Sequence, residues 1–343
     1  MSQAKPAELA GPAGERAAAA GPVRVLFIGG LGRSGSTLLD RMLGQLDGVW
    51  SVGELVHIWQ RGLQENNLCG CGRRFRDCHF WRRVGEEAFG GWEALDVGEV
   101  LALKRAVDRN RCVPLMCVPA LWPPYRARLR RYLDLLDRLY RAVRQVAGTT
   151  SGGARGGPLL VDASKHASHA FLLRRMPGLN LRLVHLVRDS RGVAFSWGKL
   201  MRRLEVVDAE ALMATTTPLR MSARYLAYNS LFHLLRRLGV PTLLLRYESL
   251  VRRPAAELHR VLGHADRPAA DGELGFVGDG WVELGTSHAL AGNPMRFDRG
   301  RVPLRLDEEW RGKMRRRHRL LTAGSTWPLL LRYGYLRGRH RGR

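Results

Sequence analysis

Two stretches of this sequence bring anion-binding residue types together at useful spacing. In "VRVLFIGGLGRSGSTLLDRML" (Val23–Leu43) the run Gly30-x4-Gly35-Ser36-Thr37 has the G-x-x-x-x-G-K-[ST] spacing of a nucleotide-binding P-loop. Successive backbone N–H groups in such a turn, followed by a helix N-terminus, form a cradle for phosphate. Ser34, Ser36 and Thr37 add hydroxyl donors, and Arg33 adds a fixed positive charge. Ser36 stands where the motif requires lysine. In an NTPase that lysine reaches the β- and γ-phosphates, so its loss removes the group that handles a transferable phosphate and leaves the cradle intact. The loop therefore suits a ligand with a 5′-phosphate and no γ-phosphate. The second stretch, "LRLVHLVRDSRGVAFSW" (residues 181–197), puts Arg188 at a strand end and Ser196 two turns into the following helix. Asp189 or Ser190 can cap that helix, and Arg188, Arg191 and Ser196 can close around a second anion. A competing motif is Leu159–Asp162, which has the form of a Walker B strand ending in a magnesium-binding aspartate and keeps a kinase or NTPase reading open.

These residues need elements to hold them. Val23–Ile28 is a short apolar run ending in Gly29-Gly30, and Leu38, Leu39, Met42, Leu43 and Leu46 recur at helical spacing, which gives strand, glycine loop and helix. Leu159–Val161, Leu181–Val187 and Pro241–Arg246 are further compact apolar runs, each followed by a helical pattern. Tyr125–Ala147 reads as an amphipathic helix with Leu129, Tyr132, Leu133, Leu136, Leu139, Tyr140 and Val143 on one face. Alternating strands and helices imply a three-layer α/β fold: a central, largely parallel sheet flanked by helices, with ligands at the carboxyl ends of the strands. The domain is expected to span residues 23–335. Residues 1–22 read as a disordered Ala/Gly/Pro-rich tail, 69–122 as an insertion or lid, "GTTSGGARGGP" (148–158) as a loop, and 336–343 as a basic tail.

The chain of 343 residues carries 56 basic and 31 acidic side chains, a formal charge of +25, and only five of the basic residues are lysines. Such a field favours polyanionic partners. Aromatic residues are not interleaved with the basic runs as in single-strand nucleic-acid modules, so no specific nucleic acid is expected; the tail "YLRGRHRGR" is the place where nucleic acid or a membrane surface can be tested. No apolar stretch approaches the ~18 residues of a spanning helix, and no signal-peptide core is present, which predicts a cytoplasmic protein; peripheral membrane contact and a homodimer stay open.

"GRSGSTLL" and "LVRDSRGVAFSW" together resemble the two phosphate-binding signatures of the PAPS-dependent sulfotransferases, in the order and spacing of the bacterial and tyrosylprotein-type branch. PAPS, 3′-phosphoadenylyl sulfate, carries a 5′-phosphosulfate and a separate 3′-phosphate. The resemblance implies a P-loop-like fold over about Val23–Tyr335 and transfer of a sulfuryl group to a hydroxyl or amine, with no metal. It implies that Arg33, Ser34, Gly35, Ser36 and Thr37 hold the 5′-phosphosulfate, with Arg33 where cytosolic members have lysine, and that Arg188 and Ser196 hold the 3′-phosphate. It further implies Glu54 of "VGELVHI" as general base, Lys165 of "LLVDASKH" as the group steadying the leaving phosphate, and Tyr247 of "LLLRYESL" against the nucleotide. "GTSHALAGNPMRFDRG" resembles the loop that closes over the cofactor, contributing Ser287, Gly292, Asn293 and Arg296. The acceptor is open among small molecules, carbohydrates, lipids and peptides.

Five cysteines in a chain expected to be cytoplasmic argue against an obligatory disulfide framework. Cys69-x-Cys71 and Cys78-His79, with Cys112 and Cys117 further on, are a poor match to zinc-ligand spacing, so packed thiols are expected, a structural metal next and a redox pair last. Phe80, Trp81, Met116 and Trp122 are candidates for an acceptor pocket, against the plainer reading that they are core.

Overall fold

In the computed structural model, which describes residues 21–150, 157–199 and 216–336, the first strand β1 (Val23–Gly29) is buried on both faces. Val25, Leu26, Phe27 and Ile28 are each at most 1 % exposed, and they alternate between two separate apolar layers: Val25 and Phe27 face one, Leu26 and Ile28 the other. Successive side chains of a strand point to opposite faces, so a continuous apolar run is what a central strand of a covered sheet requires.

The chain continues through α1 (Ser36–Leu43), β2 (Val49–Gly53), α2 (His79–Phe89), α3 (Val97–Val107), α4 (Pro123–Thr150), β3 (Leu159–Lys165), α5 (Ala167–Leu173) and β4 (Leu179–Val187). Next come α6 (Ser190–Trp197), α7 (Pro218–Arg237), β5 (Thr242–Arg246), α8 (Tyr247–Arg252), α9 (Pro254–His264), β6 (Val277–Gly278), β7 (Trp281–Leu284), β8 (Gly300–Pro303) and α10 (Arg316–Arg332). Strands β1 to β5 form one sheet in the order β2-β3-β1-β4-β5, every neighbouring pair parallel. Helices α2 to α5 and α7 cover one face, and α1, α8 and α9 the other, beside a small antiparallel sheet β6-β7-β8. The three-layer α/β expectation is met. Strand β2 and the small sheet were not legible, since both are short runs cut by glycines.

Residues 69–122, expected as an insertion or lid, hold α2 and α3, which pack on α4 and feed Phe75, Phe80, Trp81 and Trp92 into the same apolar layer as Phe27. Their helices are short, which hides the periodicity. Of the acceptor-pocket candidates, Phe80, Trp81 and Met116 are at most 1 % exposed and belong to this core, as the plainer reading had it, whereas Trp122 is 50 % exposed and lines neither the core nor the cleft. The tail 1–20, loop residues 151–156 and basic residues 337–343 lie outside the described residues.

One buried carboxyl opposes the fold. Asp40 of α1 is 1 % exposed; one of its oxygens accepts from Ser51 Oγ at 2.7 Å and the other has no hydrogen-bond partner among the described residues. Burial pushes its pKa up to about 7, against the lowering effect of the Ser51 hydrogen bond. An acid with a raised folded pKa stabilises the fold when protonated, fully below about pH 4, and that contribution is lost as pH rises through about 7. A shift of about three pKa units corresponds to about 4 kcal/mol. Asp40→Asn keeps the acceptor for Ser51 and removes the charge. It should come closest to the parent chain at about pH 4 and exceed it by a few kcal/mol at about pH 8 in urea denaturation; an unchanged pH profile would show that Asp40 titrates normally.

Candidate active site

Each of the five parallel strands delivers a residue of one cleft at, or immediately past, its carboxyl end. β1 leads into the loop Gly30–Thr37, β2 into Glu54, β3 ends at Lys165, β4 leads to Arg188 and β5 to Tyr247. The cleft of ≈ 1060 Å³ is at the upper end of ordinary ligand pockets, roughly 300–1,000 Å³. It lies where ligands bind in open α/β sheets.

The glycine loop depends on two positions. Gly30 has φ 144°, and a Cβ there would stand 2.2 Å from the Leu186 carbonyl oxygen of β4. Gly35 has φ 89°, and a Cβ there would stand 2.6 Å from the Tyr247 ring. Arg33 also takes a left-handed conformation, φ 74°, which is uncommon for a residue with a Cβ. Gly35 is the N-cap of α1 and provides no side-chain cap, so the first-turn amides of that helix have no intrahelical acceptor.

The second motif is tied directly to this loop. Arg188, 5 % exposed, donates from Nη1 to the Arg33 carbonyl at 3.1 Å and from Nη2 to the Asp307 carbonyl at 2.8 Å. Its Nη2 is also 3.0 Å from the Asp307 carboxylate, and its guanidinium lies 4.7 Å from the Tyr247 ring centre. Tyr225 Oη donates to the Arg188 carbonyl at 2.9 Å, and Trp197 Nε1 donates to the Gly32 carbonyl at 2.9 Å. Ser196 lines the cleft from α6. Arg191, expected beside them, is held elsewhere: the Asp189 carboxylate takes two hydrogen bonds from its side chain and one from its amide, and its guanidinium stacks 4.6 Å over Trp310. The capping aspartate that starts the helix is what draws Arg191 away.

A carboxylate and an ammonium meet on the far wall. Lys165 Nζ donates to Glu54 Oε1, and His57 Nε2 lies 3.5 Å from Glu54 Oε2. The backbone N–H of Glu54 donates to the Leu290 carbonyl at 2.7 Å, which joins β2 to the 285–297 loop. A Cβ on Gly292 would lie 3.1 Å from Glu54 Oε1 and 3.5 Å from Thr37 Oγ1, so this loop approaches the pair closely because Gly292 has no side chain. Asn293 N–H donates to Thr37 Oγ1 at 3.4 Å. Burial holds His57 well below its ordinary pKa, helped by Arg61, so it faces Glu54 as neutral imidazole.

The structure therefore gathers Arg33, Gly35, Ser36, Thr37, Glu54, Lys165, Arg188, Ser196, Tyr247, Gly292 and Asn293 around one cavity. It does not bring Ser34, Ser287 or Arg296 to the cleft wall. Ser34 is 2 % exposed; Ser287 packs where a Cβ on Gly70 would fall; Arg296, 1 % exposed, donates to the Leu68 carbonyl at 2.8 Å. Sequence reading missed His57, Arg61, Lys199, Arg224, Arg305 and Asp307, all on the cleft wall. His57 and Arg61 were accessible, three and seven residues after Glu54 at helical spacing, as was Lys199, three residues after Ser196; the others come from distant segments. Among the described residues, seven Lys/Arg side chains face two carboxylates in the cleft, an excess that suits a multiply charged anion.

Asp162 does not fill a Walker B role. It is 0 % exposed, and its carboxylate accepts from the Ser164 amide at 2.8 Å, from Ser164 Oγ and from Tyr140 Oη. Its oxygens point into the α4 side of the core, so a cleft-bound nucleotide cannot share a magnesium ion with them.

The sequence matches the model of the sulfotransferase family over residues 25–271. Among solved structures, the chain is similar to the sulfotransferase domain from the Synechococcus PCC 7002 olefin synthase, with 20% identity over 89% of this chain and 94% of that one and a TM-score of 0.47. It is also similar to the sulfotransferase domain from the curacin biosynthetic pathway (17% identity, 88% and 96% covered, TM-score 0.44) and to sulfotransferase STF9 from Mycobacterium avium (18%, 76% and 68%, TM-score 0.40). No curated protein matches the chain. The family match covers most of the sequence and contains both anion motifs, Glu54, Lys165 and Tyr247: the chain belongs to the sulfotransferase family.

Proposed function

We propose that this protein transfers the sulfuryl group of PAPS to a hydroxyl or amine of an acceptor. The observation that carries the reading is the direct bond between the two anion motifs, Arg188 Nη1 to the Arg33 carbonyl, in a cleft that also holds the Glu54–Lys165 pair. The residues present fit such a ligand. The lysine-free loop keeps its amides and hydroxyls, and the absence of a side chain at Gly35 lets the Tyr247 ring close on the loop. Arg33 and the Gly35–Thr37 amides would take the 5′-phosphosulfate, Arg188 and Ser196 the 3′-phosphate, and Tyr247 would pack against the nucleotide.

PAPS supplies an activated sulfuryl group on a phosphate leaving group. The chain supplies a base and a cation already joined. Glu54 takes the proton of the acceptor hydroxyl or amine as its oxygen or nitrogen attacks sulfur. Protonation of Glu54 deprives Lys165 of its anionic partner, and the ammonium is then left to the oxygen that gains charge as the sulfuryl group departs. Burial and the nearby Arg61 hold His57 well below its ordinary pKa, which favours neutral imidazole 3.5 Å from the Glu54 carboxylate. The kinase reading loses its metal ligand with Asp162 buried.

Calorimetry with the desulfonated product PAP in the absence of metal should show tight binding. Arg188→Ala should weaken it about 10- to 100-fold, the loss of a hydrogen-bonded charge. A preference for magnesium-ATP over PAP would overturn the proposal. A transfer screen with ³⁵S-labelled PAPS over carbohydrate, lipid, peptide and small-molecule fractions identifies the acceptor class. On that acceptor, Glu54→Gln should lower kcat by about 10²–10⁴ with PAP affinity little changed; a loss of PAP affinity equal to the loss of rate would instead make Glu54 a binding residue.

A further inference from the structure

Cys69, Cys71, Cys78 and His288 converge behind the cleft, their Sγ and nitrogen donor atoms all within 4.8 Å of one another. We propose that these four side chains bind one structural zinc ion, in a Cys3His site that fastens the 285–297 loop to the 69–81 segment. The distances have the scale of a tetrahedron. Thiolates at ~2.3 Å from zinc sit about 3.8 Å apart, and a thiolate and an imidazole nitrogen about 3.5 Å apart. Cys71 Sγ and Cys78 Sγ are 3.8 Å apart; His288 Nδ1 lies 3.2 Å from Cys78 Sγ and 3.8 Å from Cys69 Sγ. A disulfide needs sulfurs at about 2.05 Å, and all three cysteines are free. Three sulfurs and one imidazole are the donor set of closed zinc sites and too few thiolates for an ordinary iron–sulfur cluster.

The surroundings fix the donors beforehand. Cys69-Gly70-Cys71-Gly72 turns back on itself through a Gly72 amide donating to the Cys69 carbonyl at 2.8 Å, with Gly72 at φ 90°. The His288 ring stacks on Phe80 at 5.3 Å and on Trp50 at 6.2 Å, and its carbonyl accepts from Trp81 Nε1 at 3.0 Å. These contacts set the face from which Nδ1 reaches the sulfurs, as outer partners orient the ligands of metal sites. Cys78 sits at the N-terminus of α2, the helix that carries Phe80 and Trp81 against His288. Sequence spacing concealed the site. His79, adjacent to Cys78, is exposed and outside the cluster, and the fourth donor comes 210 residues later in the chain.

The site bears on the cleft through three backbone bonds. Gly70 N–H donates to the Ala289 carbonyl at 3.0 Å, Leu290 N–H to the Val52 carbonyl at 3.0 Å, and Glu54 N–H to the Leu290 carbonyl at 2.7 Å. An ion held between the Cys69–Cys78 turn and His288 therefore anchors the strand that carries Gly292 past Glu54.

Metal analysis of protein purified under reducing conditions with zinc supplied should give about one zinc per chain. Cys71→Ser, at the half-buried ligand, should lose it, while Cys117→Ser, outside the cluster, should keep it. If Cys71→Ser does not fold, the parent chain reconstituted with cobalt(II) still decides: thiolate-to-cobalt charge transfer and intense tetrahedral bands are expected. Neither readout depends on the transfer reaction. Zinc far below one per chain, with no thiolate–cobalt bands and all five cysteines open to a thiol reagent, would overturn the proposal. So would a Cys71–Cys78 disulfide in the intact mass.

Discussion

The hydrogen bond from Arg188 to the Arg33 carbonyl is the contact on which the cleft depends. It joins a loop after β1 to the end of β4, two segments that become neighbours only because those strands pair in parallel register from Val23–Leu179 to Gly29–His185. The same arginine stacks on Tyr247, at the end of β5, and Tyr247 in turn occupies the space beside Gly35. Loop, arginine and tyrosine thus hold one another: a side chain at Gly35 displaces the tyrosine, which unsettles the arginine, which frees the loop carbonyl. Such mutual support lets Arg33 keep a left-handed conformation at a cost of about 1–2 kcal/mol.

Pairing order explains why five distant residues share one site. β1 is central, with β3 and β2 on one side and β4 and β5 on the other. All five strands run the same way, so all five carboxyl ends open on one edge. The apolar runs needed for a doubly covered sheet are therefore also the rulers that set cleft geometry. Gly30 shows the tolerance: its neighbour is the Leu186 backbone, and the loop leaves β1 against β4 with no space for a methyl group.

This division between strand and loop decided how much was legible in the sequence. The strands β1, β3, β4 and β5 and the helix α4 are long apolar patterns, and Arg188, Ser196 and the glycine loop are local motifs attached to them. Glu54, Lys165 and Tyr247 were reached only through family resemblance, since a single carboxylate or tyrosine has no local pattern. Arg191 was misplaced because its partner Asp189 was read as a helix cap and not also as a competing anion. Asp307, Arg305 and His288 were invisible for a simpler reason: each acts far from its own place in the chain, on Arg188, on the cleft wall and on the cysteine turn. Proximity of that kind is a property of the fold.

The charges that remain inside the cleft are harder to justify by stability. The side chains of Lys165 and Glu54 are 15% and 8% exposed, and those of Arg188 and Asp307 6% and 33%. Burying charge costs several kcal/mol per ion, and an apolar replacement of similar volume is often as stable. The two pairs do have a common logic if the ligand is anionic. Each cation is compensated by a carboxylate until the ligand arrives, so the fold does not carry an unpaired buried charge. Each carboxylate can then give way: Glu54 by taking a proton, Asp307 by turning toward the solvent that already reaches a third of it. The two pairs differ in the event that opens them. In the proposed reaction Asp307 would give up Arg188 on binding, with no chemistry needed, whereas Glu54 would give up Lys165 only when a proton moves, which would tie release of the lysine to the transfer step itself.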